Sequence, residues 1–418
     1  MDNNIEQAAP VARRRRSLVE KPADAVQDEP IHRPAAKGHV FECLVAKETL
    51  ANALSRVTGI VERKNTIPIT GCVKIEVNPG KMVITGTDMD AYAVENVKAD
   101  VAGGPAEIAV DAHKLNEIVA VMPKGSEIKL VLGIEDGARL KVTAGRSTFN
   151  LPKLDAELFP IDLLKIDTPF SFTIRAADLL RLFSGCAHAM STEETRAYLN
   201  GIFLHPAKAG GNTVLRAVAT DGHRLARFDA KWPGCAQFNG VILPRKFVYR
   251  AISLLSEAGE TANVVFSLSD GQARLSFNGS SLMSKLVYGE FPDYARVIPP
   301  SNSRPATISA SVSESIKRVS VMASDKGRGI RFNFSNGVLS LNCANPEYGD
   351  STEEFAVGFE GEELEIGFNA GYALEMLERA GDEVEFQLNG PGDPAVIVAP
   401  GESVDSAGML FVLMPMRV

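Results

Sequence analysis

FECLVAKETLANAL, residues 41–54, is a short alternating strand pattern that passes without a break into a helical one, whose face carries Leu50, Leu54 and then Val57. The same plan recurs as FSFTIRAADLLRLF at 170–183, where Leu179, Leu182, Phe183 and Cys186 make the helix face, and as ATISASVSESIKRV at 306–319. The repeat length is roughly 130 residues, a domain-sized unit rather than a solenoid unit.

The stretch after each helix repeats as well. ITGTDMDAYA (84–93) aligns with AVATDGHRLA (217–226) and more weakly with LNCANPEYGD (341–350). Each segment then runs through the plan a second time, in AEIAVDAHKLNEIVAVM (106–122), GVILPRKFVYRAISLL (240–255) and LEIGFNAGYALEML (364–377). In the first of these, Leu115, Ile118, Val119 and Met122 give the i, i+3, i+4, i+7 stripe of a helix buried on one side. Alternating strands close the unit, as in ARLKVTAGRSTFNL (138–151) and ARLSFNGSSLMSKL (273–286), and Phe159-Pro160 and Phe291-Pro292 lead into extended linkers. Six copies of one strand–helix–strands module thus pair into three similar α+β domains, expected at 39–167, 168–301 and 302–418. Such domains, with helices on one side and antiparallel sheets on the other, curve into an arc when joined edge to edge. Two arcs with complementary ends close head to tail into a ring.

Residues 1–38 are rich in Ala, Pro and charge, carry the run Arg13–Arg16 and show no periodicity, which predicts a disordered tail. The 418-residue chain is 45% hydrophobic and 23% charged, the balance of a globular protein in water. It has no apolar stretch long enough for a membrane helix and no signal-peptide core, so a cytoplasmic location is expected. Cys43, Cys72, Cys186, Cys235 and Cys343 are scattered singly, as expected of reduced thiols rather than of disulfides or a zinc site. The histidines have no ligand spacing and no phosphate-binding G-x-x-x-x-G-K-[ST] loop occurs, so neither a metal nor another cofactor is expected.

Asp221 and His223, within Thr220-Asp221-Gly222-His223-Arg224, are residue types suited to acid–base work, the one hint of a hydrolase. They lack a nucleophile, the equivalent stretch of the first domain reads Met89-Asp90-Ala91, and Asp-Gly is turn chemistry. A turn is expected, and the chain is expected not to be an enzyme. The terminal FVLMPMRV (411–418) places apolar side chains where disorder is the default, so something must hold them. It reads either as a last core strand or, because methionines repack around different ligands, as part of a peptide pocket.

A formal charge of −8 argues against a nucleic-acid binder, but binding depends on the local field. The helices expected on one wall carry Lys47, Arg56, Lys114, Arg181, Arg245, Lys246, Arg250, Lys317 and Arg318, with Arg63-Lys64 in a loop, whereas Glu353-Glu354 and the acids of 360–365 are expected to face outward. No base-reading motif is present, so any DNA contact is expected to be weak and sequence-independent.

TDGHRLA (220–226), VILPRKFV (241–248), SKLVYGEFPDYARVIP (284–299) and the terminal MPMRV (414–418) together resemble the beta-subunit family of bacterial DNA polymerase III, the sliding clamps, from about residue 40 to the end. The resemblance implies a homodimeric ring of DNA-clamp domains, helices inside and sheets outside, that encircles double-stranded DNA and tethers the polymerase. The tail is longer than the family pattern. A hydrophobic cleft between domains II and III would capture peptides of the polymerase III alpha subunit, the clamp loader complex, other polymerases and repair proteins. By matched position its residues are Leu199, Thr220, Gly222, His223, Arg224, Leu225, Pro292, Arg296, Val297, Asn369, Tyr372, Val412, Met414, Pro415, Met416 and Arg417. Gly327 stands where the family has a pocket phenylalanine, which would widen one side of the cleft. DNA-facing positions would be Arg63, Lys64, Arg196, Tyr198, Arg245, Lys246 and Arg250; the dimer contact would bring Arg146, Phe149 and Leu151 to Val321 and Met322. The alternative is a peptide-binding scaffold that takes no DNA.

Overall fold

The computed structural model describes residues 35–135, 137–161, 170–232, 234, 238–299, 303–324 and 327–418. The tail to residue 34, the expected boundaries at 167/168 and 301/302, and Cys235 lie outside the described residues. The six α-helices of the described residues are α1 (Lys47–Thr58), α2 (Ala112–Val121), α3 (Ala176–Ala187), α4 (Arg245–Ala258), α5 (Val312–Val319) and α6 (Ala370–Ala380). Their apolar stripes are the ones the periodicity marks: Leu50, Leu54, Val57, Leu115, Val119, Leu179, Leu182, Phe183 and Cys186 are wholly buried. Two starts are capped by side chains, Asp111 accepting from the Lys114 amide and Asn369 from the Tyr372 amide.

Each helix is preceded by one strand and followed by three, with a further short strand (Asp100–Gly103, Lys153–Leu154, Gly358–Phe359) after those of α1, α2 and α5, and the two modules of a domain exchange their first strands. In domain I, His39–Ala46 pairs with Glu127–Gly133 of the second module, while Ala106–Asp111 pairs with Cys72–Asn78 of the first. Domains II and III repeat the exchange. These pairings are antiparallel, and the turn before a module's fourth strand has the same chemistry in domains I and II. Thr87 and Thr220 accept from the amide two residues on and donate to the carbonyl four residues on, while Asp88 and Asp221 accept from two following amides. The residue between needs positive φ: Gly222 supplies it freely at 92°, and Met89 adopts it at 79°.

The fourth strands join the domains. Ala91–Lys98 pairs with Ser280–Lys285, and Arg224–Lys231 with Met409–Leu413, so a nine-stranded sheet runs across each of the two domain seams. The seam between domains I and II is polar. Arg56 reaches Glu95 (3.0 Å), Glu257 (2.6 Å) and Ser280 (3.0 Å), and Lys246 binds the Ile60 carbonyl, Glu62 and Asp88. Burial raises the Glu95 carboxyl above its ordinary value, against the pull of Ser280 and Arg56.

Candidate functional site

The seam between domains II and III buries apolar residues on both faces of its sheet, with Arg227 buried among them and donating to the Val404 and Ala407 carbonyls. Ala226, Phe228, Ile397, Phe411 and Leu413 point into the main core beneath the helices. The alternate residues Val218, Leu225, Val396, Val398, Leu410 and Val412 form a second buried cluster on the outer face, against Phe291, Tyr294, Ile298, Val404 and Met414. Continuous apolar runs such as AVIV and MLFVL are the signature of strands buried on both sides.

The expected cleft residues collect along the edge of this second cluster. Leu225 and Val412 are paired neighbours at its floor, 1% and 0% exposed. Val297, 44% exposed, and Pro292 stand on the connector between domains II and III, with Arg296 paired to Asp293 at 3.0 Å. The last residues close the far side: the Met414 amide donates to the His223 carbonyl and the Met416 amide to the Gly367 carbonyl. Arg224 is buried and fully engaged, donating to Asp221, Glu375 and the His188 carbonyl, with its guanidinium 4.2 Å from the centre of the Tyr372 ring. Asn369 caps the helix that carries Tyr372. Leu199 is buried, and two positions expected to face DNA, Arg196 and Tyr198, share its short 3-10 helix Glu194–Leu199, Arg196 beside Gly222 of the cleft turn and Tyr198 beside Gly289.

Beyond Met416 the surface opens into a groove of about 560 Å³ lined in part by Gly327, Arg331, Tyr348, Met416 and Arg417. Among the described residues a Cβ at Gly327 would meet the Ser324 hydroxyl, at 3.5 Å. Sequence reasoning missed two glycines beneath the terminal strap. A Cβ at Gly367 would run into the Met416 carbonyl and one at Gly329 into Val418, so bare backbone is what lets the terminal strap lie down on the sheet. Arg331 ties the strap further by donating to the Val418 carbonyl.

Asp221 and His223 do not form an acid–base pair. Both carboxylate oxygens of Asp221 are taken by the His223 and Arg224 amides and the Arg224 side chain, and the His223 ring stacks on Tyr372. Among the described residues no group of three or more His, Cys, Asp or Glu could hold a metal, and Cys43, Cys72, Cys186 and Cys343 are buried free thiols. Burial pushes the Cys43 thiol up to about 12 and that of Cys72 to about 11.

The basic set is largely partnered. Lys246 is held at the domain seam, Arg56 likewise, Lys114 pairs with Glu117, Lys317 with Glu314 and Arg318 with Glu353. Arg181 donates to the Asp229 carbonyl and lies over Phe228, and Arg245 lies over Tyr249. Arg63 reaches Glu117 only at 3.9 Å, and Lys64 and Arg250 are exposed without an ion pair among the described residues. Of the expected dimer residues, Arg146 and Val321 are exposed, Phe149 and Met322 half-buried, and Leu151 is buried in the chain's own core.

The family models for the N-terminal, central and C-terminal domains of the DNA polymerase III beta subunit match residues 41–164, 173–293 and 295–417. The beta sliding clamp of Caulobacter vibrioides is 38% identical over 377 residues, 90% of this chain and 99% of the relative. That of Pseudomonas aeruginosa is 36% identical over 378 residues, 90% of this chain and 99% of the relative. The crystal structure of the Caulobacter crescentus clamp superposes with a TM-score of 0.83 at 37% identity, covering 90% of this chain and all of the other. The Bartonella birtlesii clamp bound to griselimycin gives 0.83 at 36%, with the same coverage.

Proposed function

This chain belongs to the DNA polymerase III beta-subunit family, the beta sliding clamps, and we propose that it closes with a second copy, head to tail, into a ring around duplex DNA. It is a processivity factor with no catalytic centre of its own. The observation that carries the ring is the set of strands left over. Of the six fourth strands, four pair across the two domain seams into nine-stranded sheets; the remaining two, Ser147–Leu151 and Gly349–Ala356, end a five-stranded and a four-stranded sheet at opposite ends of the chain. Paired antiparallel between copies, those two edges would complete a third sheet of nine. They would also cover edges that otherwise invite aggregation.

The inner wall suits sliding. Ion pairs within the chain cancel most of the helix charge beyond a Debye length, leaving residues such as Lys64, Arg63 and Arg250 to attract phosphate weakly and without reading bases. The cleft at the seam of domains II and III takes extended peptides from the polymerase III alpha subunit, the clamp loader complex, other polymerases and repair proteins. No α-helix among the described residues is long and apolar enough to cross a membrane. With the bacterial chromosome as its substrate, the protein works in the cytoplasm.

The test is to load the protein onto a nicked circular plasmid and then linearise it. Retention on the circle and release from the linear form at the same salt is the expected result. Equal retention on both would mean ordinary DNA binding, and none on either would leave a peptide scaffold. Griselimycin, which the Bartonella birtlesii relative binds, is expected to compete with a labelled polymerase peptide for the cleft.

A further inference from the structure

Pro292 and Val297, one wall of the cleft, belong to a connector whose described residues, 286–299, form no strand, so something other than a sheet must hold them. Two aromatic side chains on the connector's other side do. Phe291 stacks on Phe203 with ring centres 5.0 Å apart, and Tyr294 lies against the His205 ring at 5.8 Å. The hydroxyl of Tyr294 is the polar end of this anchor. His205 Nδ1 is 2.9 Å from the Pro206 carbonyl, which can only accept, so Nδ1 carries the proton and Nε2 accepts from the Tyr294 hydroxyl at 3.0 Å. Beside His205 on the neighbouring strand, Arg216 is fixed on Asp229 by its Nε and Nη2, each at 2.7 Å. Arg216 and Asp229 are buried, on the outer face of the domain II sheet. The bonds from Tyr294 through His205 to Pro206 therefore match donor to acceptor and tie the connector to the sheet, where the Arg216–Asp229 ion pair lies beside His205.

We propose that Tyr294 is a positioning residue for peptide capture: its hydroxyl, bonded to His205, seats the connector so that Pro292 and Val297 stand as a preformed wall. The inference rests on reading this cleft as the partner site. A wall already in place need not be ordered when the peptide arrives. Without the hydroxyl, Nε2 of the half-buried His205 ring loses its partner, and lifting the connector to admit water becomes the cheaper state.

The experiment uses the full chain and a fluorescent peptide copied from the clamp-binding segment of the cognate polymerase III alpha subunit. Tyr294→Phe keeps the ring and removes only the hydroxyl, and should weaken binding about tenfold, the scale of one buried hydrogen bond. His205→Leu should do the same, and the double variant should bind no worse than either single one. Amides of 293–298 should exchange faster with deuterium in Tyr294→Phe, while those of Asn212–Thr220 and Arg224–Lys231 keep wild-type rates. A Tyr294→Phe protein that binds like wild type, or losses that add in full in the double variant, overturns the positioning role. Wild-type protein that ignores the peptide, or binds it equally well without Met414–Val418, overturns the cleft reading instead.

Discussion

At Gly367 a single methyl group decides whether the chain's end can lie on the sheet. Gly367→Ala should displace Met416 and Val418 and weaken peptide binding at least about tenfold, because the strap forms one wall of the cleft. Titration of a labelled peptide measures it; unchanged affinity would show that the strap is not part of the site. His188, at the end of α3, makes a second prediction. Both ring nitrogens are buried with no hydrogen-bond partner among the described residues, the ring meets Phe411 edge-on at 5.7 Å, and burial, then Arg379 and Arg224, lower its pKa to about 3. The folded chain thus refuses a proton that the unfolded chain takes near the ordinary value of 6.5, so stability from this group is full above that pH and falls as pH drops toward about 3. His188→Phe should gain about 1 kcal/mol at neutral pH and lose part of the acid sensitivity, read by denaturant unfolding at pH 7.5 and 5. Arg224 and Met416 were legible in the sequence through their motifs. The glycine seat was not, because only strand register brings Gly329, Gly367 and Val418 together.

Elements were more legible than the contacts between them. Helix stripes and strand alternation follow from local periodicity, so α1 to α6 and their buried faces fall where the pattern puts them. The exchange of first strands within each domain has no local signature, and neither has the choice of which seam is polar. Lys246 illustrates the second point: the sequence places it in a basic set of helix residues, and folding brings Glu62 and Asp88 to it from the neighbouring domain. A related tie fixes one free edge. Glu353 on strand Gly349–Ala356 accepts from Ser315 and Arg318 of α5, and Arg318, then Ser315, lower its pKa to about 2. The tie is therefore fully present above the ordinary carboxyl value of 4.5 and is lost only as pH falls through about 2. Carbon-detected NMR of the Glu353 carboxyl should show no titration between pH 7 and 4. A midpoint near 4.5 would mean that α5 does not hold the edge.

For the whole molecule, the two seams already closed within the chain indicate what a third must look like. Arg56 is the tenth residue of α1, and across the first seam it lines one cavity with Leu254, the tenth of α4. Arg379, the tenth of α6, donates across the second seam to the Ser184 carbonyl, next to Gly185, the tenth of α3. The matching positions at the open ends are Val121, which ends α2, and Val321, just past α5; they are 76% and 78% exposed, large apolar side chains with nothing over them in the single chain. Ring closure that repeats the internal seams sets Val121 of one copy against Val321 of the other and removes both from water together with the two free strand edges. Burying a charge there without a partner costs several kcal/mol at each of two identical contacts. Val121→Asp and Val321→Asp should therefore each convert a dimer of about twice the 44.9 kDa chain mass into a monomer by light scattering, while peptide affinity stays at its wild-type value because the cleft lies within one chain. A Val121→Asp protein that remains dimeric would mean that closure uses the strand edges without the helix ends, and that the third seam is built differently from the other two.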